Sequence, residues 1–258
     1  MPTALITGAS GGIGKSFAQK LAAQNTNLII VARSEDKLNA LAQQLREQHN
    51  IQVDVIAKDL TQPSAVQEVF DATVAKGLTV DLLINNAGFG DYGEFVQTDG
   101  DRQVQMVQLN NVALVDLTHR FLPQMRVRRS GSIINVSSIA AFQPIPYLSV
   151  YAASKAFVRS FSEALWAENR RYGVRVLVVC PGPTETNFFN EANFPPALAR
   201  NAQGMTTPEE VVDQTLKALD EGRVNVVVGS IASKFLTKLS SIVPRETLLN
   251  LLEKQFKS

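Results

Sequence analysis

The chain has 258 residues, 45% hydrophobic and 19% charged, which is enough apolar side chain for one large core. Twenty-five Lys and Arg against 24 Asp and Glu leave a formal net charge of +1, so no global positive field exists to hold nucleic acid or an anionic membrane. The single cysteine, Cys180, excludes an intrachain disulfide and suits a reducing, cytoplasmic setting, and no window reaches the roughly 18 apolar residues of a membrane span.

Short apolar runs alternate with longer amphipathic stretches. Ala4–Ile6 reads as a strand leading into the glycine turn 8–14 and then a helix to about Gln24. Leu28–Ala32 is a strand, Glu35–Gln48 a helix, Ile51–Ala57 a strand and Ser64–Lys76 a helix. Leu82–Ile84 is the next strand, followed by a long helical region, Asp101–Arg128, and the strand Ser132–Val136. Val150–Tyr172 is helical up to Gly173, a residue type that commonly ends helices, and Val174–Val179 is a nearly pure apolar strand. Pro208–Glu221 and Val224–Val228 form the last helix–strand pair, and 231–258 reads as a helical extension. Strands that are apolar without alternation are buried on both faces, which a mostly parallel sheet with helices on both sides provides. The fold class is therefore α/β: a single doubly wound, Rossmann-like domain over 1–258 with about seven strands. Residues 187–207, rich in Phe, Asn, Pro and Ala, fit the alternation poorly and read as a substrate-binding loop.

Thr7-Gly8-Ala9-Ser10-Gly11-Gly12-Ile13-Gly14 lies at a strand-to-helix junction. Glycines there allow a tight turn and close approach of the backbone to a pyrophosphate, and the new helix offers unpaired N–H groups. Dinucleotide sites usually place a carboxylate at the end of the second strand to bind a ribose hydroxyl. Here Ala32-Arg33 stands in that place, and a guanidinium suits a 2′-phosphate, which favours NADP(H) over NAD(H). Lys37 is a possible second cation.

Tyr151-Ala152-Ala153-Ser154-Lys155 puts a phenol and an ammonium on one helix face. A nearby ammonium lowers a phenol's pKa, which prepares the pair for acid–base chemistry on an alcohol or carbonyl. The spacing alone is common. Its company is not: Asn85-Asn86-Ala87-Gly88, Ser137-Ser138 and Cys180-Pro181-Gly182 each follow a strand, and the topology brings all three to one crevice.

With these motifs in this order, the chain resembles the short-chain dehydrogenases/reductases from Thr3 to about Thr186. The resemblance implies Tyr151 as acid/base, Lys155 as the group that holds the nicotinamide ribose and lowers the tyrosine pKa, and Ser138, rather than Ser137, as the residue that polarises the substrate oxygen. Asn110 resembles the fourth member, which positions a water behind the lysine, with Asn111 as its rival. Gly8, Ser10, Gly11, Gly12, Ile13 and Gly14 resemble the phosphate loop, Asp59 and Leu60 the adenine contact, and Asn86, Ala87 and Gly88 the adenosine-ribose contact. Pro181, Thr184 and Thr186 are similar to residues around the nicotinamide. Gly11 stands where many NADP-linked members carry a basic residue, so Arg33 supplies most of the 2′-phosphate recognition.

The implied function is NADP(H)-dependent hydride transfer between nicotinamide and an apolar ketone, aldehyde or acyl compound. The alternative is a dinucleotide sensor on the same fold, which would have no need of Ser138, Tyr151 and Lys155 together. A third reading is a membrane-associated lipid or steroid enzyme held by Phe235–Leu252, against plain packing of that stretch on the domain or a second subunit. The resemblance and the apolar excess of the long helices imply a homodimer or homotetramer. Phe89, Phe142, Pro144, Pro146, Tyr147, Phe188, Phe189 and Phe194 are expected around the substrate. His49 and His119 have no metal-like company, so no metal is expected, and Cys180 reads as a packed thiol.

Overall fold

The computed structural model describes residues 1–196, 198, 205–230, 237 and 243–257. Its strands are β1 (Thr3–Thr7), β2 (Asn27–Ala32), β3 (Val53–Ala57), β4 (Leu82–Asn85), β5 (Gly131–Val136), β6 (Val174–Pro181) and β7 (Asn225–Val228). The helices are α1 (Gly12–Ala23), α2 (Glu35–His49), α3 (Ala65–Ala75), α4 (Gly100–Val107), α5 (Leu114–Arg128), α6 (Ser149–Asn169), α7 (Phe188–Glu191), α8 (Pro208–Asp220) and α9 (Arg245–Phe256). The strands form one sheet in the order β3-β2-β1-β4-β5-β6-β7, and every pairing is parallel. Strand order reverses between β1 and β4. That is the switch point at which doubly wound sheets open a crevice beyond the carboxyl ends of their strands.

The apolar strands are buried on both faces because successive side chains point to opposite sides. Ala4, Ile6, Leu28, Ile30, Ile84 and Leu177 pack with Phe17, Leu38 and Val212 from α1, α2 and α8. Leu5, Ile29, Leu83, Ile133 and Val176 pack on the other face with Val69, Leu117 and Phe121 from α3 and α5.

Two of the predicted helices differ from expectation. The region Asp101–Arg128 is not one regular helix: α4 and α5 are separated by a π-helical turn, Gln108–Ala113. Buried Asn110 and Asn111 sit in this turn, and their amides reach Phe89 and Ser154, so tertiary hydrogen bonds outweigh regular helical register. The Val150–Tyr172 helix ends earlier, in a 3-10 turn over Arg170–Tyr172, before Gly173 closes it at φ 72°. Of the extension 231–258, α9 is helical. Most of 231–242, like 199–204 of the predicted loop, lies outside the described residues.

Candidate active site

The loops after all seven strands border one crevice of about 740 Å³. Strand register places them there: Thr7 pairs with Val31 and Asn85 with Asn135, so the chain leaves neighbouring strands at neighbouring heights. The crevice has two arms that meet over Lys155 and Tyr151. One arm runs past Gly8–Ile13, Arg33, Lys58-Asp59-Leu60 and Asn86–Gly88, and the other past Ile145, Leu148, Phe188, Phe189 and Phe194.

The glycine turn is locked to β4. Asn86 donates from Nδ2 to the Thr7 carbonyl at 2.9 Å, and the backbone N–H groups of Asn86 and Ala87 both donate to Thr7 Oγ1 at 3.0 Å. Asn86 thus holds the turn with its side chain, and only its remaining surface faces the crevice. Gly14 is required by space: a Cβ there would lie 2.3 Å from the Gly8 carbonyl oxygen. A Cβ on Gly11 would meet nothing within 4 Å, because this glycine faces the open crevice. Helix α1 begins beside it with no side-chain cap and no acidic residue in its first turn. Its first N–H groups are therefore available to an anion. The residues present fit a dinucleotide pyrophosphate.

At the end of β2, exposed Arg33 and Lys37 line the same arm, and among the described residues neither side chain has a hydrogen bond or ion pair. Lys58, by contrast, is paired with Glu68. Asp59 accepts from the backbone and hydroxyl of Thr61 at 3.0 and 2.8 Å, which orients it beside buried Leu60. Pro181, Thr184 and Thr186 lie on the opposite wall, Thr184 tied by its hydroxyl to the Gly182 carbonyl at 3.0 Å.

The floor brings together all four residues of the predicted catalytic set. Tyr151 and Lys155 stand one turn apart on α6, 9% and 5% exposed, with Lys155 Nζ 5.8 Å from the Tyr151 ring centroid. The Tyr151 hydroxyl lies beside Ser138, whose hydroxyl favours the phenolate. Ser138 Oγ accepts from the Ala140 backbone N–H at 3.1 Å, which fixes it at the head of a short 3-10 turn. Ser137 is turned away, donating to the Lys155 carbonyl at 2.8 Å, and this separates the two serines that sequence alone leaves adjacent.

Lys155 Nζ donates to the Val136 carbonyl at 3.0 Å and keeps two further N–H groups. A Cβ on Gly88 would stand 2.8 Å from Asn110 Oδ1 and 3.3 Å from Lys155 Nζ, so those two groups meet over that glycine. Asn110 is clamped by bonds to both the N–H and C=O of Phe89 and to Ser154 Oγ. Asn111 instead donates to the Ser154 carbonyl at 2.9 Å, away from the lysine.

One expectation is reversed. The protein groups around Tyr151 do not lower its pKa. Burial pushes it up to about 12, against the opposing effect of the neighbouring Ser138 hydroxyl. Lys155 is itself pulled down to about 8, again by burial. Desolvation disfavours the charged form of each group, and here it is the largest cause of both shifts. The phenol therefore carries its proton at neutral pH. Cys180 is fully buried, and burial raises its thiol to about 12, as expected of a packed rather than reactive cysteine.

Of the aromatic residues expected around the substrate, Phe89, Phe188, Phe189 and Phe194 line the second arm. Phe142 does not: it packs with Leu114 and Val158 under the Arg159 guanidinium. Pro146 and Tyr147 border a separate shallow groove with Glu94 and Leu249, and Pro144 is exposed outside the crevice. Sequence reasoning missed Leu252, Gln255 and Phe256 of α9, which close the arm from the far end of the chain. The apolar spacing of Leu248 and Leu252 signals a packed helix, but no local signal says what it packs against.

A doubly wound parallel sheet, an open glycine turn and a Ser–Tyr–Lys floor define a dinucleotide-dependent oxidoreductase architecture. Residues 2–196 match the short chain dehydrogenase family, and the chain belongs to it. It is an oxidoreductase of alcohol and carbonyl groups. The chain is 31% identical over 255 residues to the very-long-chain 3-oxoacyl-CoA reductase of Anas platyrhynchos, covering 97% of this chain and 78% of that protein. It is 32% identical over 235 residues to the 7beta-hydroxysteroid dehydrogenase of Collinsella aerofaciens, covering 87% and 85%. A short-chain dehydrogenase from Sphingobium yanoikuyae in complex with NADPH superposes with a TM-score of 0.84 at 30% identity, covering 96% and 94%. Among the described residues, no helix is long and apolar enough to cross a membrane.

Proposed function

We propose that this chain is an NADP(H)-dependent reductase of bulky, apolar ketones, working reversibly on the matching secondary alcohols. One observation carries the reading: protonated Tyr151, beside Ser138 and backed by Lys155, sits where an arm with two unpaired cations meets an arm walled by phenylalanines. A bound nicotinamide dinucleotide supplies the hydride donor or acceptor. The glycine turn Gly8–Gly14 holds its pyrophosphate and Arg33, helped by Lys37, its 2′-phosphate. Asp59, Leu60 and Asn86–Gly88 border its adenosine, and Pro181, Thr184 and Thr186 its nicotinamide. The complex of the Sphingobium yanoikuyae relative with NADPH supports that choice of cofactor.

Tyr151 gives its proton to the substrate oxygen during reduction. Ser138 donates a hydrogen bond to the same oxygen as charge develops there, the role of an oxyanion-stabilising donor. Lys155 uses its two remaining N–H groups to hold the ribose and to favour the phenolate left after proton transfer. Asn110 holds the water that reconnects the lysine to solvent.

The substrate arm is apolar and wide, and Phe188 lies 5.3 Å from the Tyr151 ring, which favours a large hydrocarbon framework beside the carbonyl. The names of two relatives point the same way, a hydroxysteroid dehydrogenase and a bulky-bulky ketone specific alcohol dehydrogenase. In this reading 1–258 is one catalytic domain, 187–207 the substrate-binding loop and 231–258 a C-terminal extension, whose helix α9 packs on the domain. The cellular setting is cytoplasmic, in line with the lone buried thiol.

The assembly is a homodimer or homotetramer. Val104 on α4, Val112 in the π turn and Phe157 on α6 are 68%, 47% and 46% exposed, an apolar excess that a second copy would cover. Light scattering that returned one chain's mass at micromolar concentration would refute this. The function is tested by a ketone panel with NADPH or NADH oxidation as the readout. Faster turnover of bulky apolar ketones with NADPH is expected; preference for NADH, or for small polar carbonyls, overturns the reading.

A further inference from the structure

The loop that follows β4 carries a buried carboxylate that the chemistry above does not use. Asp91, with a side chain 4% exposed, accepts three hydrogen bonds: from Arg102 Nε at 2.9 Å, Gln103 Nε2 at 2.7 Å and Asn193 Nδ2 at 2.8 Å. Two of these donors lie on α4, while Asn193 belongs to the segment after α7. Arg102 extends the bridge, donating from its terminal nitrogen to the Glu191 carbonyl at 2.5 Å and lying 5.0 Å from the Phe89 ring centroid. Asn193 takes a left-handed φ of 55°, a conformation that asparagine adopts more readily than most non-glycine residues.

The next residue holds three more pieces. The Tyr92 backbone N–H donates to the Ala192 carbonyl at 2.8 Å, and its ring contacts those of Phe194 and Tyr147 at 5.2 and 5.8 Å. Its hydroxyl donates to the Phe256 carbonyl at the end of α9. The Gly93 N–H donates to the carbonyl of Tyr147, another left-handed residue, at 2.9 Å. Just before these residues, the backbone at Gly90 lies against Phe188 and Tyr151, where a Cβ would approach their rings to 2.8 and 3.3 Å.

Three segments remote in sequence therefore converge on two adjacent side chains. We infer that Asp91 and Tyr92 are positioning residues that set the shape of the substrate arm, by fastening the 188–194 segment, the Tyr147 turn and α9 around the Tyr151 ring. Neither touches the reacting atoms. Asp91 is buried with three donors, so its removal leaves the Arg102 guanidinium and two amides without their acceptor, and the 188–194 segment loses its anchor. Tyr92 governs the C-terminal closure by one hydroxyl. The inference rests on the reading of the crevice as a ketone-reducing site, and it predicts a selectivity effect rather than a loss of chemistry.

The test compares Asp91→Ala, Asp91→Asn and Tyr92→Phe with the wild type in two measurements. The first is reduction of benzophenone, as a bulky probe, and cyclohexanone, as a small one, with NADPH. Asp91→Ala should raise KM for benzophenone about tenfold, while kcat for cyclohexanone changes less than about threefold and NADPH binding is unaltered. Asp91→Asn, which can still accept hydrogen bonds, should recover part of the loss, and Tyr92→Phe should shift KM by about threefold. The second is hydrogen exchange, which needs no turnover. Exchange should rise over 188–196 in the Asp91 variants and over 245–257 in Tyr92→Phe. A proportional fall of kcat for both ketones with unchanged KM, or unchanged exchange in those segments, overturns the inference. If the wild type reduces neither ketone while exchange rises as described, the clasp stands and the assigned reaction falls.

Discussion

The two arms of the crevice are built in opposite ways. The dinucleotide arm is made of short contiguous runs at strand ends, and backbone groups form its working surface: the open N–H groups at Gly11–Gly12 and the small residues Ala87 and Gly88. Its scaffold is the parallel sheet itself, through bonds such as Thr7 Oγ1 to the Asn86 and Ala87 N–H groups. The substrate arm is assembled from the loop after β4, the turn before α6, the 188–194 segment and α9, joined by side chains such as Asp91 and Tyr92. The first arm leaves little freedom to vary, because a Cβ at Gly14 would strike the Gly8 carbonyl. The second can change its aromatic residues without disturbing the sheet. This division lets one fold bind one cofactor and accept different ketones.

The sharpest way to break the comparison acts at the junction of the arms. Tyr151→Phe removes the proton carrier and leaves both arms intact, so kcat should fall roughly 10²–10⁴-fold with NADPH affinity nearly unchanged. Single-turnover kinetics with separate cofactor titration checks it, and near-normal turnover would show that Tyr151 is not the proton donor.

Next in size is a change confined to the dinucleotide arm. Arg33→Ala should weaken NADPH binding by roughly 1.5–3 kcal/mol, the scale of charged hydrogen bonds, and leave NADH binding almost unchanged. Equal losses for both cofactors would remove the 2′-phosphate assignment.

The glycine turn offers a paired test of scaffold against surface. Gly14→Ala should destabilise the fold by roughly 1–3 kcal/mol through overpacking, whereas Gly11→Ala should leave the melting temperature unaltered and still impair NADPH binding. Thermal melts with and without NADPH separate the two effects.

The last test concerns the charge at the junction. Lys155 titrates near 8 when folded and near 10.5 when unfolded, so between these values the unfolded chain binds more protons. Stability therefore rises with pH through that window. The burial penalty relieved across that window is roughly 3 kcal/mol, a pKa unit being worth about 1.4 kcal/mol. Lys155→Met should abolish this rise and melt higher than the wild type at pH 7, while losing turnover. A wild-type melting temperature that fell between pH 8 and 10 in step with the variant's would contradict it.

The sequence by itself determined the sheet and the dinucleotide arm. Runs such as Leu28–Val31 and Val176–Val179 are apolar at every position, which only a sheet covered on both faces accommodates. The glycine turn, Arg33 and the Tyr151–Lys155 pair are likewise legible, because each is a local motif whose geometry follows from its spacing. Tertiary structure alone decided the rest. It supplied the partners that physically tell Ser138 from Ser137 and Asn110 from Asn111, a choice the sequence makes only through its resemblance to the family. It set the Tyr151 phenol above its ordinary pKa rather than below, since desolvation depends on everything packed around the ring. It brought Phe256 to Tyr92 across 164 residues, a contact no periodicity encodes. Local chemistry writes backbone-built sites into short motifs, while a wall made of side chains from four segments exists only once the chain has folded.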